Sequence, residues 1–435
     1  MWWYNELSDE SDDEYLLCEH LSDEDYEKSF YCAIKPALNV GKIFGLFPIN
    51  INTKQPLEIS FEWKSYRTVI AVTFILWAGM TAIFNLKTQT EAGPLTPSNV
   101  VGVIFFTVCT VISILFFKKA RELRRLLAFW WKVERIFLCE KYDFPENRWT
   151  LKKRLKVCLV VCLICGLLEH LFYLSAEFYK FGFEVHYCNT TGVDYVEMFI
   201  SKQLAFVLDN LPIPYNHLLG FLAEFFNISI TFWWNYLDLF IMLISIALSE
   251  LFERIVYRME CLKTVPLNES IWAEIREHHV YVSDLVVEVN KMFGTAFIIA
   301  CCNDGYFILI QMLNITTSLP FLISAIYFWF SLIYLMTRAT IMITFASKVY
   351  ENAREPLSII RGIPTDVWCS ELQRFFDQIK LESNSNSLSG KNFFFINKRL
   401  LFSIAGALVT YELVMIQFDV KKIKWEDMVD CKSTT

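Results

Sequence analysis

Residues 217–252 decide the fold, and they read HLLGFLAEFFNISITFWWNYLDLFIMLISIALSELF. A bilayer core of roughly 30 Å is crossed by about 20 apolar residues of helix, so this stretch is longer than one crossing requires. The residues that follow, ERIVYRMECL, keep helical spacing while they gain charge. We therefore predict a membrane-spanning helix whose end projects into the cytosol.

Six further stretches have the same character. The chain of 435 residues is 54% hydrophobic and contains only 14 Gly and 12 Pro, so its apolar runs can continue as helices. The seven predicted spans are 66–86, 99–117, 157–176, 217–252, 296–317, 321–346 and 400–418. The fold class that we expect is an all-α membrane protein with seven transmembrane helices and cytosolic helical extensions, with helices one to six and the ligand pocket within residues 35–380.

The distribution of basic residues predicts the orientation of these helices. Of the 40 Lys and Arg, 31 lie on one side of the predicted membrane if Arg67 is counted there, and seven lie on the other. Because Lys and Arg accumulate on the cytoplasmic side, the N-terminus is predicted inside and the tail 419–435 outside. The sequon at Asn189 then lies outside, where it could accept a glycan.

Two segments are predicted to lack regular structure. Residues 1–30 hold eleven acidic residues and one Lys, so residues 1–34 are expected to form an acidic disordered cytoplasmic tail. Residues 381–398 begin with LESNSNSLSGKN and are expected to form a flexible cytoplasmic loop and the start of the last helix.

Several classes of protein are disfavoured by the absence of their motifs. The sequence contains no phosphate-binding glycine loop, no nucleophile elbow and no H-E-x-x-H pair. The 13 Cys lack the paired spacing of zinc sites, and only Cys188 and Cys431 fall in segments predicted outside, so at most one extracellular disulfide is expected. We predict no enzyme activity, no cofactor, no metal site and no nucleic-acid partner.

Polar side chains recur within the predicted spans, mostly in their outer halves. Glu224, Asn227, Thr231, Asn235 and Asp238 are spaced by three or four residues, which places them on one helical face. Such residues are costly in hydrocarbon and usually face protein or a water-filled cavity, while carboxylates, amides and aromatic rings suit a polyhydroxylated ligand. The simpler alternative is that they only bond to one another between helices. The candidate ligand-binding residues are Glu169, His170, Tyr173, Glu224, Asn227, Thr231, Trp233, Trp234, Asp304, Gln311, Asn314, Tyr327 and Trp329.

The last predicted helix has a different pattern. Ser403, Gly406, Thr410 and Gln417 form a small or polar stripe, which is typical of a pore-lining helix and also of ordinary helix packing. One helix cannot enclose a channel, so a pore requires several copies around an axis.

This helix carries a family resemblance. Thr410-Tyr411, five further residues and Gln417-Phe418 resemble the signature of the insect gustatory receptors. FGLFPININ and SFEWKSYRT before the first span, and TFWWNYLDLFIMLISIALSELFERI in the fourth, are similar to the sugar-receptor branch. The resemblance implies a sugar-gated, non-selective cation channel, assembled as a homotetramer or heteromer in the plasma membrane of chemosensory neurons. It also implies a pore and gate formed by Thr410, Tyr411, Gln417 and Phe418.

Three other functions remain as alternatives. Within the family, the ligand could be a bitter compound or carbon dioxide rather than a sugar. A seven-helix G-protein-coupled receptor needs its N-terminus outside, against the charge distribution. A transporter or enzyme could relay protons through Glu169, His170 and Asp238, but no inverted repeat is visible in the sequence.

Overall fold

The chain was studied as a computed structural model. It describes residues 23–51, 58–93, 97–145, 147–188, 194–263, 268–316, 319, 321–365, 367–381 and 386–416. These residues are almost entirely helical, with one two-stranded antiparallel ribbon in which Ile49 pairs with Phe61.

We number the elements in chain order. The helices are α1 Asp23–Lys28, α2 Phe30–Ile43, α3 Tyr66–Ala92, α4 Pro97–Glu134, α5 Leu151–Tyr187, α6 Tyr195–Gln203, α7 Ala205–Leu208, α8 His217–Leu262, α9 Glu269–Leu313, α10 Leu322–Arg354, α11 Pro356–Arg361, α12 Ser370–Leu381 and α13 Lys398–Ile416, and the strands are β1 Ile49–Asn50 and β2 Ser60–Phe61. Short 3-10 turns occupy Arg135–Phe137, Glu140–Tyr142 and Asn314–Thr316.

The described residues of all seven predicted spans lie on helices or at their ends. Five of these, α3, α4, α5, α9 and α10, are long and apolar enough to cross a bilayer. The fourth predicted span is α8 and the seventh is α13, of which the structure describes residues up to Ile416. The helical content of the prediction is therefore confirmed, while the count of seven crossings stays a prediction.

Helix α8 is the centre of the bundle. Every residue from Tyr236 to Phe252 is buried, and α8 packs most extensively against α10, with α4, α5 and α9 around it. A helix that is apolar on all sides is stable where other helices surround it. The long apolar run in the sequence thus reflects burial within protein over much of its length, as well as the membrane.

Helix α2 corrects the predicted extent of the acidic tail. Residues 23–28 and 30–34 are helical rather than disordered, and Phe30 is buried beneath α4, stacked on Trp130 with ring centroids 4.0 Å apart. The Phe30 amide donates to both carboxylate oxygens of Glu134, at 2.8 and 3.0 Å. Burial of the apolar face of α2 supplies the stabilisation that the acidic residues before it lack.

The loop before α13 is also better ordered than predicted. Residues Asn386 to Ser389 are buried, and Asn290 of α9 both donates to the Ser387 carbonyl at 2.8 Å and accepts from the Ser389 amide at 3.0 Å. Leu388 and Ile396 are joined by a backbone hydrogen bond of 2.8 Å. A polar composition suggested flexibility, but the backbone of this segment bonds to the Asn290 side chain of α9, which fixes where α13 begins.

The helical extensions that are predicted to be cytosolic form a packed cluster around Tyr142. Arg258 of α8 donates to the Tyr142 hydroxyl at 2.8 Å and pairs with Glu274 of α9 at 3.1 Å, and His278 Nδ1 lies 2.5 Å from the same hydroxyl. Burial raises the pKa of Tyr142 to about 12, so the phenol remains neutral at physiological pH. We call this group of four residues the cytosolic clamp, because it holds the loop after α4 against both long helices.

The loop between α5 and α8 is structured by two short helices, α6 and α7, that the sequence did not reveal. Cys188, which caps α5, forms a disulfide bond, whereas the ten other cysteines among the described residues are free. Cys431 and the sequon residue Asn189 lie outside the described residues.

Candidate ligand site

The candidate site begins with a hydrogen-bonded chain between three helices. Ser331 of α10 donates to Glu169 of α5 at 2.6 Å and accepts from Gln311 of α9 at 3.0 Å. Gln311 Oε1 is buried and has no hydrogen-bond partner among the described residues. These hydrogen bonds join Glu169 and Gln311, which are both predicted site residues, and leave Gln311 Oε1 available for a further bond.

Aromatic rings lie next to this chain. The Tyr173 ring of α5 lies 5.6 Å from that of Tyr327 on α10 and 6.0 Å from that of His170. Within the part of the chain that the structure describes, His170 Nε2 is buried without a partner. The three rings thus supply the apolar faces and polar edges that stack on and bond to a pyranose.

The opposite side of the site is formed by Glu224 of α8. Both of its carboxylate oxygens are buried without a hydrogen-bond partner among the described residues. Asn227, one turn further along α8, lies beside the Glu224 carboxylate, and Glu224 is close enough to the Tyr173 phenol to interact with it electrostatically across the site. Gln203, the last residue of α6, contacts the same phenol.

An ion cluster lies deeper, below these residues. Arg338 of α10 is 3% exposed; its Nε is 2.7 Å from Asp238 of α8 and its Nη2 is 3.5 Å from Asp304 of α9. Its Nη1 donates to Asn235, and its guanidinium lies over the Trp234 ring at 4.8 Å. We call these five residues the arginine cluster. One cation faces two carboxylates, so the cluster joins three helices by charge as well as by packing.

The polar stripe of α8 therefore divides into two parts. Glu224 faces the site, whereas Asn235 and Asp238 belong to the arginine cluster. Thr231 lies between them and donates to the Asn227 carbonyl one turn back, at 3.1 Å. The candidate ligand-binding residues of this stripe were Glu224, Asn227 and Thr231, and its two deeper members, Asn235 and Asp238, bind Arg338.

Three predicted site residues lie elsewhere. Trp233 is fully buried on the other side of α8, where its indole donates to the Phe44 carbonyl at 2.8 Å. Asn314 is exposed at the end of α9, and Trp329 is 48% exposed on the outside of α10. Two more predicted site residues, Trp234 and Asp304, belong to the arginine cluster, and the Trp234 ring lies 4.7 Å from that of Phe307.

The sequence interpretation missed Arg338, Ser331 and Gln203. Arg338 had a detectable signal, since a single cation in an apolar run needs an anionic partner and Asp238 and Asp304 were the deepest acids available. Ser331 and Gln203 had none, because serine is common in membrane helices and Gln203 lies on a helix that was not predicted.

The predicted pore residues are only partly described. Helix α13 packs on α9 and α10 through Leu400, Leu401 and Ile404. Ser403, Gly406 and Thr410 are exposed, and the Thr410 hydroxyl donates to the Gly406 carbonyl at 2.8 Å. Gln417, Phe418 and the side chain of Tyr411 lie outside the described residues.

Comparison with known families adds to this geometry. The profile of the trehalose receptor family matches residues 17–431. The chain belongs to this family. It is 30% identical over 392 residues to "Gustatory receptor for sugar taste 64a" of Drosophila melanogaster, covering 90% of this chain and 84% of that one. It is 29% identical over 403 residues to "Gustatory receptor 5a for trehalose" of the same organism, covering 92% of this chain and 88% of that one.

Solved structures show the same fold. The insect olfactory receptor OR5 from Machilis hrabei superposes with a TM-score of 0.62 at 15% sequence identity, covering 89% of this chain and 98% of that one. The same receptor in complex with eugenol gives a TM-score of 0.60, also at 15% identity, covering 90% of this chain and 100% of that one. The family match confirms the recognition of a gustatory sugar-receptor family from the sequence, and the fold resembles that of the olfactory receptor OR5.

Proposed function

We propose that the chain is one subunit of a sugar-gated, non-selective cation channel that acts in sweet taste. The observation that carries this proposal is the group of buried polar atoms on His170, Glu224 and Gln311 that have no hydrogen-bond partner among the described residues, since these three side chains lie in the predicted outer half of the bundle. Each such atom costs free energy until something bonds to it. A polyhydroxylated ligand has the donors and acceptors to do so, and the names of the sugar and trehalose relatives point to the same class.

The pore is proposed to form from several copies of α13. In a single chain this helix has neighbours on one side, and its small and polar residues Ser403, Gly406 and Thr410 remain exposed. Four subunits around an axis, as a homotetramer or with related chains, would bring these residues to face a shared channel for cations. We propose that this assembly functions in the plasma membrane of chemosensory neurons, with a glycan on Asn189.

The decisive experiment for ligand gating is to express the chain alone and record currents during application of a panel of sugars. Substituting Glu224→Gln removes an acceptor whose charged bonds contribute about 1.5–3 kcal/mol, so the half-maximal sugar concentration should rise roughly tenfold or more. Surface labelling should stay at the wild-type amount. A panel of bitter compounds that opens the channel while every sugar is silent would contradict the sugar assignment.

Topology is tested separately. We expect an epitope tag before residue 1 to be reached only after permeabilisation, and a tag after residue 435 to be reached on intact cells, because the basic residues place the N-terminus in the cytosol. An N-terminal tag that antibodies reach on intact cells would instead favour the G-protein-coupled receptor topology.

A further inference from the structure

Three side chains of the types that bind metal ions meet where α6 and α8 begin. Asp194 caps α6, Glu197 lies in the first turn of that helix, and His217 is the first residue of α8. One carboxylate oxygen or imidazole nitrogen from each residue lies within 4.8 Å of those of the other two. A metal ion with bonds of about 2.0–2.2 Å joins donor atoms that are roughly 3–4 Å apart, so small rotations of these exposed side chains would bring all three to one ion.

The hydrogen bonds of the group leave suitable atoms free to bind a cation. Asp194 Oδ1 accepts from the amides of Val196 and Glu197, at 2.9 and 3.2 Å, which orients the carboxylate so that Oδ2 lies 3.4 Å from His217 Nε2. In the described part of the chain, the Glu197 carboxylate has no hydrogen bond or ion pair. Two carboxylates thus lie beside a single imidazole, and a divalent cation would neutralise both of them.

Packing between α6 and α8 holds the three side chains in place. Ile200 of α6, the adjacent Leu204 and Ala223 of α8 form one apolar cluster, against which Tyr215 packs. The Tyr215 ring lies 6.0 Å from that of His217, and its hydroxyl oxygen is buried with no hydrogen-bond partner among the described residues. The group is therefore carried by two helices that pack on each other, and a water molecule on a bound ion would offer the Tyr215 oxygen a donor.

The donor set favours one class of ion. Ca²⁺ and Mg²⁺ are bound by oxygen atoms, whereas an imidazole nitrogen together with carboxylate oxygens suits Zn²⁺. Three protein ligands are typical of zinc sites that keep one position for water. The sequence predicted no metal site because His217 follows Glu197 by 20 residues, and only the packing of α6 on α8 brings these two side chains together.

We propose that Asp194, Glu197 and His217 bind one Zn²⁺ ion, with water at the remaining position. The ion joins the start of α6 to the start of α8, on the side of the membrane that is predicted to be outside. Glu224 lies seven residues after His217, two helical turns along the same face of α8. The ion would therefore be roughly 10 Å along α8 from the candidate ligand site, and we expect bound zinc to change the response to sugar.

Calorimetric titration of the full chain with ZnCl₂ tests the site. The protein is purified in detergent with an affinity tag that contains no histidine, and excess Ca²⁺ is present throughout. The wild type should bind one Zn²⁺ per chain. His217→Ala and Glu197→Gln should each weaken binding roughly tenfold or more, because each removes a ligand. Asp194→Asn should do the same, although Asn caps a helix as well as Asp does.

Two further variants separate metal binding from a structural effect. His186→Ala removes another exposed histidine, near the end of α5, and should bind Zn²⁺ as the wild type does. His217→Cys replaces the imidazole by a thiol that also ligates zinc, so it should bind Zn²⁺ more tightly than His217→Ala. A purely structural role of the imidazole would give the Ala and Cys variants the same affinity. Size-exclusion chromatography in detergent checks that each variant is folded.

The outcomes are independent of the proposed sugar gating, because calorimetry requires neither sugar nor current. A wild type that binds no Zn²⁺, equal affinities in the wild type and His217→Ala, or displacement of Zn²⁺ by Ca²⁺ would refute the zinc site while the sugar-gated function stands. A receptor that is silent to every sugar but binds one Zn²⁺ through His217 would refute the sugar assignment and support the zinc site.

Discussion

Replacing Arg338 by Met should nearly abolish the receptor at the cell surface. Asp238 and Asp304 are both buried, and removal of their cation leaves them in a low-dielectric core without a counter-charge. Breaking a buried ion pair in this way costs about 3–5 kcal/mol, comparable to the total stability of many domains. Surface biotinylation and detergent size-exclusion chromatography measure the loss.

The control restores neutrality to the arginine cluster. In the triple variant Arg338→Met, Asp238→Asn, Asp304→Asn no uncompensated charge remains, so surface expression should recover substantially. A second control, Arg361→Met at the end of α11, removes an exposed cation and should leave expression unchanged. Normal expression of the single Arg338→Met variant would show that the cluster does not stabilise the fold.

Replacing Phe418 by Ala should give current without sugar. Phe418 lies two turns beyond Tyr411 in the sequence of the last helix, near its predicted extracellular end. A ring of phenyl groups from several subunits can exclude water from a narrow pore, so that shrinking it to Ala would admit ions. Whole-cell current in the absence of ligand, compared with wild type at equal surface labelling, measures the effect.

Two companion variants test whether position and charge matter. Phe402→Ala changes a phenylalanine that is 75% exposed near the start of α13 and should keep the channel closed without sugar. Gln417→Glu would add a ring of carboxylates and should increase divalent-cation permeation or block. If Phe418→Ala and Gln417→Glu both retain ordinary sugar-dependent currents and selectivity, Phe418 is an interfacial aromatic residue and the gate lies elsewhere.

The helices could be predicted because their cause is local. About 20 apolar residues satisfy their own backbone groups only as a helix in a membrane, so the runs at 66–86 and 157–176 specified α3 and α5 directly. The helical continuation of α8 beyond Phe252 was visible for the same reason. Its charged residues keep the spacing of a helix after the apolar run ends.

The site could be predicted only in part, because hydrogen bonding between helices depends on their rotation. The sequence placed Glu169, Tyr173 and Glu224 at similar depth, and the structure brings Glu169 to Ser331 and Tyr173 toward Glu224. It could not show that Trp233 and Trp234, adjacent in sequence, point in different directions. In a helix, successive residues are about 100° apart, and which of them faces the site is decided by neighbours distant in sequence.

Helix α8 has a mechanical consequence. It runs unbroken for 46 residues, about 69 Å, and Asp238 lies 21 residues after its first residue and 24 before its last. The salt bridge to Arg338 therefore lies near the midpoint, with Glu224 on one arm and Arg258 of the cytosolic clamp on the other. Because a long helix is stiff, a tilt of α8 about this salt bridge that moved the Glu224 arm inward would move the Arg258 arm the opposite way. Arg338 and Asp304 lie on α10 and α9, and both of these helices contact α13. The point about which α8 would tilt is therefore bonded to neighbours of the proposed pore helix.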